Sequence, residues 1–153
     1  MEPNHKSTLD YNEIVDGIFI GTNQCCQLHF DEILAKQEGI SADISLEEKK
    51  IDQPFGVEFY AWMPVVDHQP PTQDQLTLGA ENLKNLVRLK KKVYVHCKNG
   101  HGRAPTLMAA YLILKGKTTD EALALINDKR PTTHIQKTQI KALKKFEEIV
   151  RLN

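Results

Sequence analysis

Cysteine is scarce in this 153-residue chain: Cys25 and Cys26 stand side by side, Cys97 stands far off, and no CxxC pair occurs. An odd, ungrouped set excludes a disulfide framework and suits a reducing compartment, so a cytoplasmic location is expected. Excess charge is missing too. Twenty basic residues balance twenty acidic ones, which leaves no global field to draw the chain to nucleic acid or to an anionic membrane surface, and any bound anion must be held locally. No run approaches the roughly 18 apolar residues of a membrane span. The polar start "MEPNHKSTLDYNE" lacks the apolar stretch of a signal peptide. Internal repeats, low-complexity segments and composition breaks are equally absent. Residues 1–153 are therefore expected to form a single domain, a monomer, whose core buries roughly 70% of the unfolded surface.

What is present is an alternation of strand and helix signals. "GIFIG" (17–21) and "ISADISL" (40–46) read as short strands. "VEFYAWMPVV" (57–66) is nearly all apolar, which predicts a strand buried on both faces, with Pro64 weakening its end. Thr72 and Gln75 form a capping box ahead of Leu76, Ala80, Leu83 and Val87 at helical spacing, and "VYVH" (93–96) follows as a buried strand. "RAPTLMAAYLILK" is apolar on nearly all sides and predicts a helix through the middle of the molecule. Thr118 with Glu121 opens a helix ending at "KRP", Ile140, Leu143, Phe146 and Val150 mark the last one, and a further helix is expected between Gln27 and Gln37. The order implies an α/β fold: a central, mostly parallel sheet of four to five strands, helices on both faces, and binding sites at the C-terminal strand ends.

One such end is "VYVHCKNGHGRAPT" (93–106), a strand, a glycine-containing loop and a helix start. Backbone N–H groups and the helix dipole converge there on an anion site. It is neither a Walker loop, since no Gly-Lys-Ser/Thr follows, nor a dinucleotide fingerprint, whose spacing it lacks. The thiol sets it apart. A free cysteine is only about 3% thiolate at pH 7, whereas a helix N-terminus and nearby cations lower its pKa to roughly 3.5–7.5 and ionise it. Arg103, six residues after Cys97, offers a planar fork for two phosphoryl oxygens while the thiolate attacks phosphorus. The leaving oxygen then needs a proton from another strand-end loop, and Asp67 in "VVDHQPP" supplies the candidate, first as acid and afterwards as the base that activates water. Asp74, the rival, falls in a helix first turn, where a carboxylate serves the dipole.

"VHCKNGHGR" matches the His-Cys-five-residues-Arg signature of the cysteine-dependent protein tyrosine phosphatase superfamily, and "PVVDHQPPT" resembles the general-acid loop of its dual-specificity branch. The resemblance runs from "YNEIVDGIFIG" to the last helix. "KKVYVHCKNG", "MAAYLI", "TTDEAL" and "HIQKTQIKALKKF" are similar to the mitochondrial phosphatidylglycerophosphate phosphatases within that branch. It implies Cys97 as nucleophile, Arg103 as phosphate clamp, Asp67 as acid and base, His96 as a brace for the cysteine loop, and Lys98, Asn99, Gly100, His101 and Gly102 as the N–H cradle. Implied with it is a metal-independent phosphatase without cofactor. Its substrate is a phosphorylated protein (on Tyr, Ser or Thr) or a phosphorylated lipid or inositol, for which Lys98 and His101 are extra cations.

The alternatives are few. A zinc set of His96, Cys97 and His101, with Cys25, Cys26 or His29, has poor ligand spacing. Cys25 and Cys26 read as packing at a helix start. Where most of the family carries Ser or Thr after the arginine, this chain has Ala104, which keeps open a phosphate-binding protein with slow turnover. An ordinary aspartic acid is about 0.1% protonated at pH 7, so an Asp67-dependent reaction is expected to peak near about pH 5.5–6.

Overall fold

The computed structural model describes residues 5–153, so the reading of the polar N-terminus falls partly outside the described residues. Five strands form one sheet in the order β1-β2-β5-β3-β4: β1 (Tyr11–Val15), β2 (Ile18–Gly21), β3 (Ile40–Glu47), β4 (Phe59–Val65) and β5 (Lys92–His96). Only β1 and β2 run antiparallel; the other three pairings are parallel. The expected mostly parallel α/β sheet is therefore present, with one strand more than the sequence patterns mark. β1 joins β2 through Asp16-Gly17, both at positive φ (59° and 76°), the backbone that a tight hairpin needs.

Four helices cover one face: α2 (Gln73–Arg88), α3 (Arg103–Leu114), α4 (Thr119–Lys129) and α5 (Lys137–Leu152). α3 is their hub, packing on α2, α4 and α5, and every residue from Arg103 to Ile113 is buried. That is why its sequence shows no polar stripe. Capping boxes at Thr72/Gln75 and Thr118/Glu121 start α2 and α4 as expected. The opposite face carries one turn, α1 (Gln27–His29), running into a π-helix (Phe30–Gln37). Its wider winding shows in the Glu38 amide, which donates to Ile33 O five residues back at 3.0 Å. Phe30 and Leu34 pack there on Phe19, Ile40 and Tyr94.

β4 corrects the expectation of a strand buried on both faces. It is an edge strand, half-buried, with Trp62 41% exposed. Its apolar residues serve one face and the strand end, and Pro64, which cannot donate to a ladder, is tolerated at an unpaired edge. The register slips beside it: Ser45 faces Trp62 but Glu47 faces Val65, one extra residue on β4. Because β3, β4 and β5 point the same way, their C-terminal residues Glu47, Val65 and His96 open onto neighbouring loops, and the candidate site lies there.

Candidate active site

Cys97 follows β5 directly and is almost fully buried. The loop from Lys98 to Gly102 then turns into α3 at Arg103. Gly100 sits at φ +70°, and a Cβ there would lie 2.7 Å from Gly21 O, so both backbone angle and space demand glycine. Behind the loop lies Arg130, the fully buried residue that ends α4. Its Nε donates to Gly100 O (2.9 Å), one terminal nitrogen to Asn99 O (2.9 Å) and the other to Asn12 Oδ1 (2.8 Å). C=O and N–H point opposite ways across a trans peptide. Pinning these two carbonyls outward therefore aims the amides of Gly100 and His101 inward.

Arg103 is 2% exposed and is fixed by the strand ends. One terminal nitrogen donates to Val65 O (2.8 Å), Glu48 Oε2 (3.0 Å) and Leu46 O (3.4 Å), and the other to Glu47 Oε2 (3.4 Å). Its Nε is buried with no hydrogen-bond partner. Burial alone would push the Glu47 carboxyl up, but the Lys49 amide and the Arg103 charge outweigh it and hold it below the usual range. Glu47 is therefore an anion facing the guanidinium. Asp67 is half-exposed, with Oδ1 accepting from the His68 amide at 2.9 Å and lying 3.5 Å from Arg103 Nε. Asp67, Cys97, Lys98, Asn99, His101, Gly102 and Arg103 line one cavity, and His68, His134, Gln136 and Gln139 complete its wall.

Ala104 is buried in the first turn of α3, and the hydroxyl two residues on, that of Thr106, donates to Gly102 O at 2.7 Å. His96 lies outside the cavity. Its Nε2 meets Asp52 Oδ2 at 2.5 Å, with Asp43 Oδ1 at 3.1 Å, and its Nδ1 faces Asn23 Oδ1 at 3.0 Å. Both ring nitrogens face oxygens, so the imidazolium is the form this pocket holds. It is linked to the cysteine loop at one remove, through Asn23, whose amide donates to Lys98 O (3.2 Å) and whose side-chain NH2 donates to Glu47 (3.3 Å).

Burial opposes the charge on His96, but the Asp43 and Asp52 carboxylates outweigh it and raise its pKa to about 10. Asp43 is pushed up by its own burial to about 7, while Asp52, which burial would raise, is lowered by its bond to His96. A raised folded-state pKa gives stability that is complete below the unfolded value and lost as pH climbs to the folded one. Unfolding free energy, measured by denaturant titration, is therefore expected to fall on the order of 1–4 kcal/mol between about pH 6.5 and 10. The His96→Asn variant is expected to be less stable at pH 7 and to show a flatter profile. An equally steep profile in that variant would remove His96 as the cause.

Sequence reasoning missed several neighbours of the site. Glu47 and Glu48 stand at the end of β3, and the strand-end rule that singled out Asp67 could have found them. Arg130 was visible only as part of a helix-ending "KRP". Asn23, His134, Gln136 and Gln139 carry no local signal, because loops distant in sequence bring them in.

A mostly parallel sheet whose central strand runs on through Cys97 and a glycine-containing loop into a helix that opens on a buried arginine is the arrangement of the cysteine-based phosphatases of dual-specificity type. The chain belongs to the family described as polymorphic toxin system, DSP-PTPase phosphatase, whose model matches residues 21–117, more than half of it. The crystal structure of PTPMT1 in complex with PI(5)P superposes with a TM-score of 0.82 at 25% identity, over 93% of this chain and 97% of that one. Tk-PTP in its active form does so at 0.77 and 26%, over 90% of this chain and 96% of that one. In sequence, the chain is 40% identical over 77 residues to phosphatidylglycerophosphatase and protein-tyrosine phosphatase 1 of Homo sapiens, which is 50% of this chain and 38% of that protein. The match thus spans about two fifths of that relative's length.

Proposed function

We propose that this chain hydrolyses phosphomonoesters through a phosphocysteine at Cys97, without a catalytic metal. The Cys97 thiolate attacks phosphorus, an S–P bond forms as the P–O bond breaks, and Asp67 gives its proton to the leaving oxygen. Water then attacks the phosphocysteine, Asp67 takes its proton, and the thiolate leaves. The inward amides of the loop and Arg103 bear the charge of the equatorial oxygens. The observation that carries this reading is the buried Nε of Arg103, which makes no hydrogen bond and only a 3.5 Å ion pair with Asp67, in the wall of the cavity that Cys97 lines, because a buried donor without a hydrogen bond is one that a ligand oxygen satisfies. Residues 1–153 are read as one catalytic unit, a monomer of a reducing, cytoplasmic compartment that keeps the thiol free.

A second reading concerns the substrate. Lys98 lines the cavity together with the imidazoles of His68, His101 and His134, a rim of one ammonium and three potential N–H donors suited to a phosphate ester that carries further anionic groups, and the PTPMT1 structure holds PI(5)P. Phosphopeptides, phosphoinositides and phosphatidylglycerophosphate assayed side by side separate the readings: a preference above tenfold for the lipids makes this a head-group phosphatase, and the reverse makes it a protein phosphatase. No turnover of any of the three would sink the hydrolase reading.

Ala104 bears on rate. Losing one hydrogen bond to the departing thiolate costs about 1.5–3 kcal/mol, roughly ten- to a hundredfold in the second step. The wild-type chain is expected to release a burst of one product equivalent and then turn over slowly. Ala104→Ser is expected to raise the steady rate about tenfold and leave the burst rate unchanged. A linear time course without a burst, unaltered by the serine, would show that the second step does not suffer from the alanine.

A further inference from the structure

Away from the catalytic cavity, His5, Cys25, Cys26 and His29 place one nitrogen or sulfur each within 4.8 Å of all the others. Three of these come from the run "CCQLH", where Cys26 caps α1 and its sulfur accepts from the His29 amide at 3.4 Å. The fourth comes from the segment ahead of β1, whose His5 ring meets that of His29 edge-on, 4.9 Å between centroids. Both sulfurs address one atom: Cys25 Sγ lies 2.9 Å and Cys26 Sγ 3.3 Å from His29 Nδ1. A ring nitrogen offers one proton or one lone pair, so Nδ1 serves only one of the two sulfurs at a time. A cation that accepts a lone pair from each donor would engage all four at once.

We propose that His5, Cys25, Cys26 and His29 form a tetrahedral site for a zinc-class divalent ion. Two thiolates and two imidazoles are the donors of a closed structural site, and the absence of oxygen ligands speaks against magnesium or calcium. Metal–ligand bonds of about 2.3 Å to sulfur and 2.0–2.1 Å to nitrogen imply edges of about 3.6 Å for S···N and 3.8 Å for S···S. The two S···N contacts to His29, 2.9 and 3.3 Å, would lengthen by about 0.3–0.7 Å, and the widest separation among the four atoms, up to 4.8 Å, would close by about 1 Å.

This set differs from a zinc group around His96. The nitrogens of His96 are committed to Asp52 and Asn23, and an imidazolium has no lone pair to give. Cys26 caps the start of α1, in keeping with the reading of Cys25 and Cys26 at a helix start, and the proposed ion would add a role to that one. The loop they end carries Asn23 and Gln24, which bond to Lys98, His96 and Asp43, so the ion would tie the N-terminal segment to the brace of the catalytic strand.

The test uses full-length Cys97→Ser protein, in which the catalytic thiol cannot compete, titrated with Zn²⁺ and with Co²⁺ as the spectroscopic probe. One ion per chain is expected to bind more tightly than about 1 µM, with sulfur-to-cobalt charge transfer and a Zn²⁺-dependent rise in Tm. Adding Cys25→Ser and Cys26→Ser is expected to weaken binding at least about a hundredfold and abolish the Tm rise, with an unchanged melt in chelator. Should that variant misfold, X-ray absorption of the zinc-loaded Cys97→Ser chain decides the matter: two sulfur and two nitrogen ligands are expected. Tight binding kept by the serine variant, binding weaker than the stated limit, or a shell without sulfur would each overturn the proposal.

Discussion

Arg103→Lys is expected to lower kcat/KM by about a thousandfold or more while leaving the chain folded. The guanidinium reaches Val65 O, Glu48 and Glu47 at once and still has Nε to offer, which a single ammonium on a flexible stem cannot reproduce. Charge is kept, so Glu47 is not stranded. Arg103→Met would strand it, and breaking a buried ion pair by removing one partner costs about 3–5 kcal/mol, so only the lysine separates catalysis from stability. The comparison is kcat/KM on an aryl phosphate alongside a thermal melt. A lysine variant within tenfold of wild type would mean that capture of the phosphoryl group by the held guanidinium is not what the residue does.

Arg130→Met is expected to reduce kcat/KM at least about a hundredfold although Arg130 does not line the cavity. It leaves the carbonyls of Asn99 and Gly100 without the donors that fix them, at a cost of about 1–3 kcal/mol for each buried acceptor. Those carbonyls then rotate, and the amides on the same peptides lose their aim. A merely structural residue would lower Tm and leave anion binding intact below the melt. Competitive inhibition by inorganic phosphate, measured well below Tm, is therefore the readout: it is expected to weaken at least about tenfold. Unchanged phosphate inhibition in a folded Arg130→Met chain would refute the positioning role.

Much of the site was legible because its chemistry is local. Cys97, the glycines and Arg103 fall within one strand-loop-helix unit, whose spacing dictates its geometry, and Asp67 was found by the rule that parallel strands share a C-terminal edge. α2, α4 and α5 announced themselves through caps and period, and α3 through the lack of a polar stripe. β1 was missed because "YNEIV" pairs on one side only and keeps polar residues exposed, although Asp16-Gly17 marked its hairpin. β4 was misjudged because an apolar run does not say whether a strand is central or at the edge. The contributions of Arg130 and Glu47, and the convergence of His5 on Cys25, join positions far apart in the chain. No periodicity encodes such contacts; they follow from which loops the finished sheet brings together.

The most direct test of the account is to find where phosphate resides during turnover. Rapid quenching of the wild-type chain with a radiolabelled phosphomonoester, followed by proteolysis and mapping, is expected to place the label on Cys97, within "VHCKNGHGR", and Cys97→Ser is expected to carry no label and turn nothing over. Label on any other residue, or steady turnover by Cys97→Ser, would contradict it.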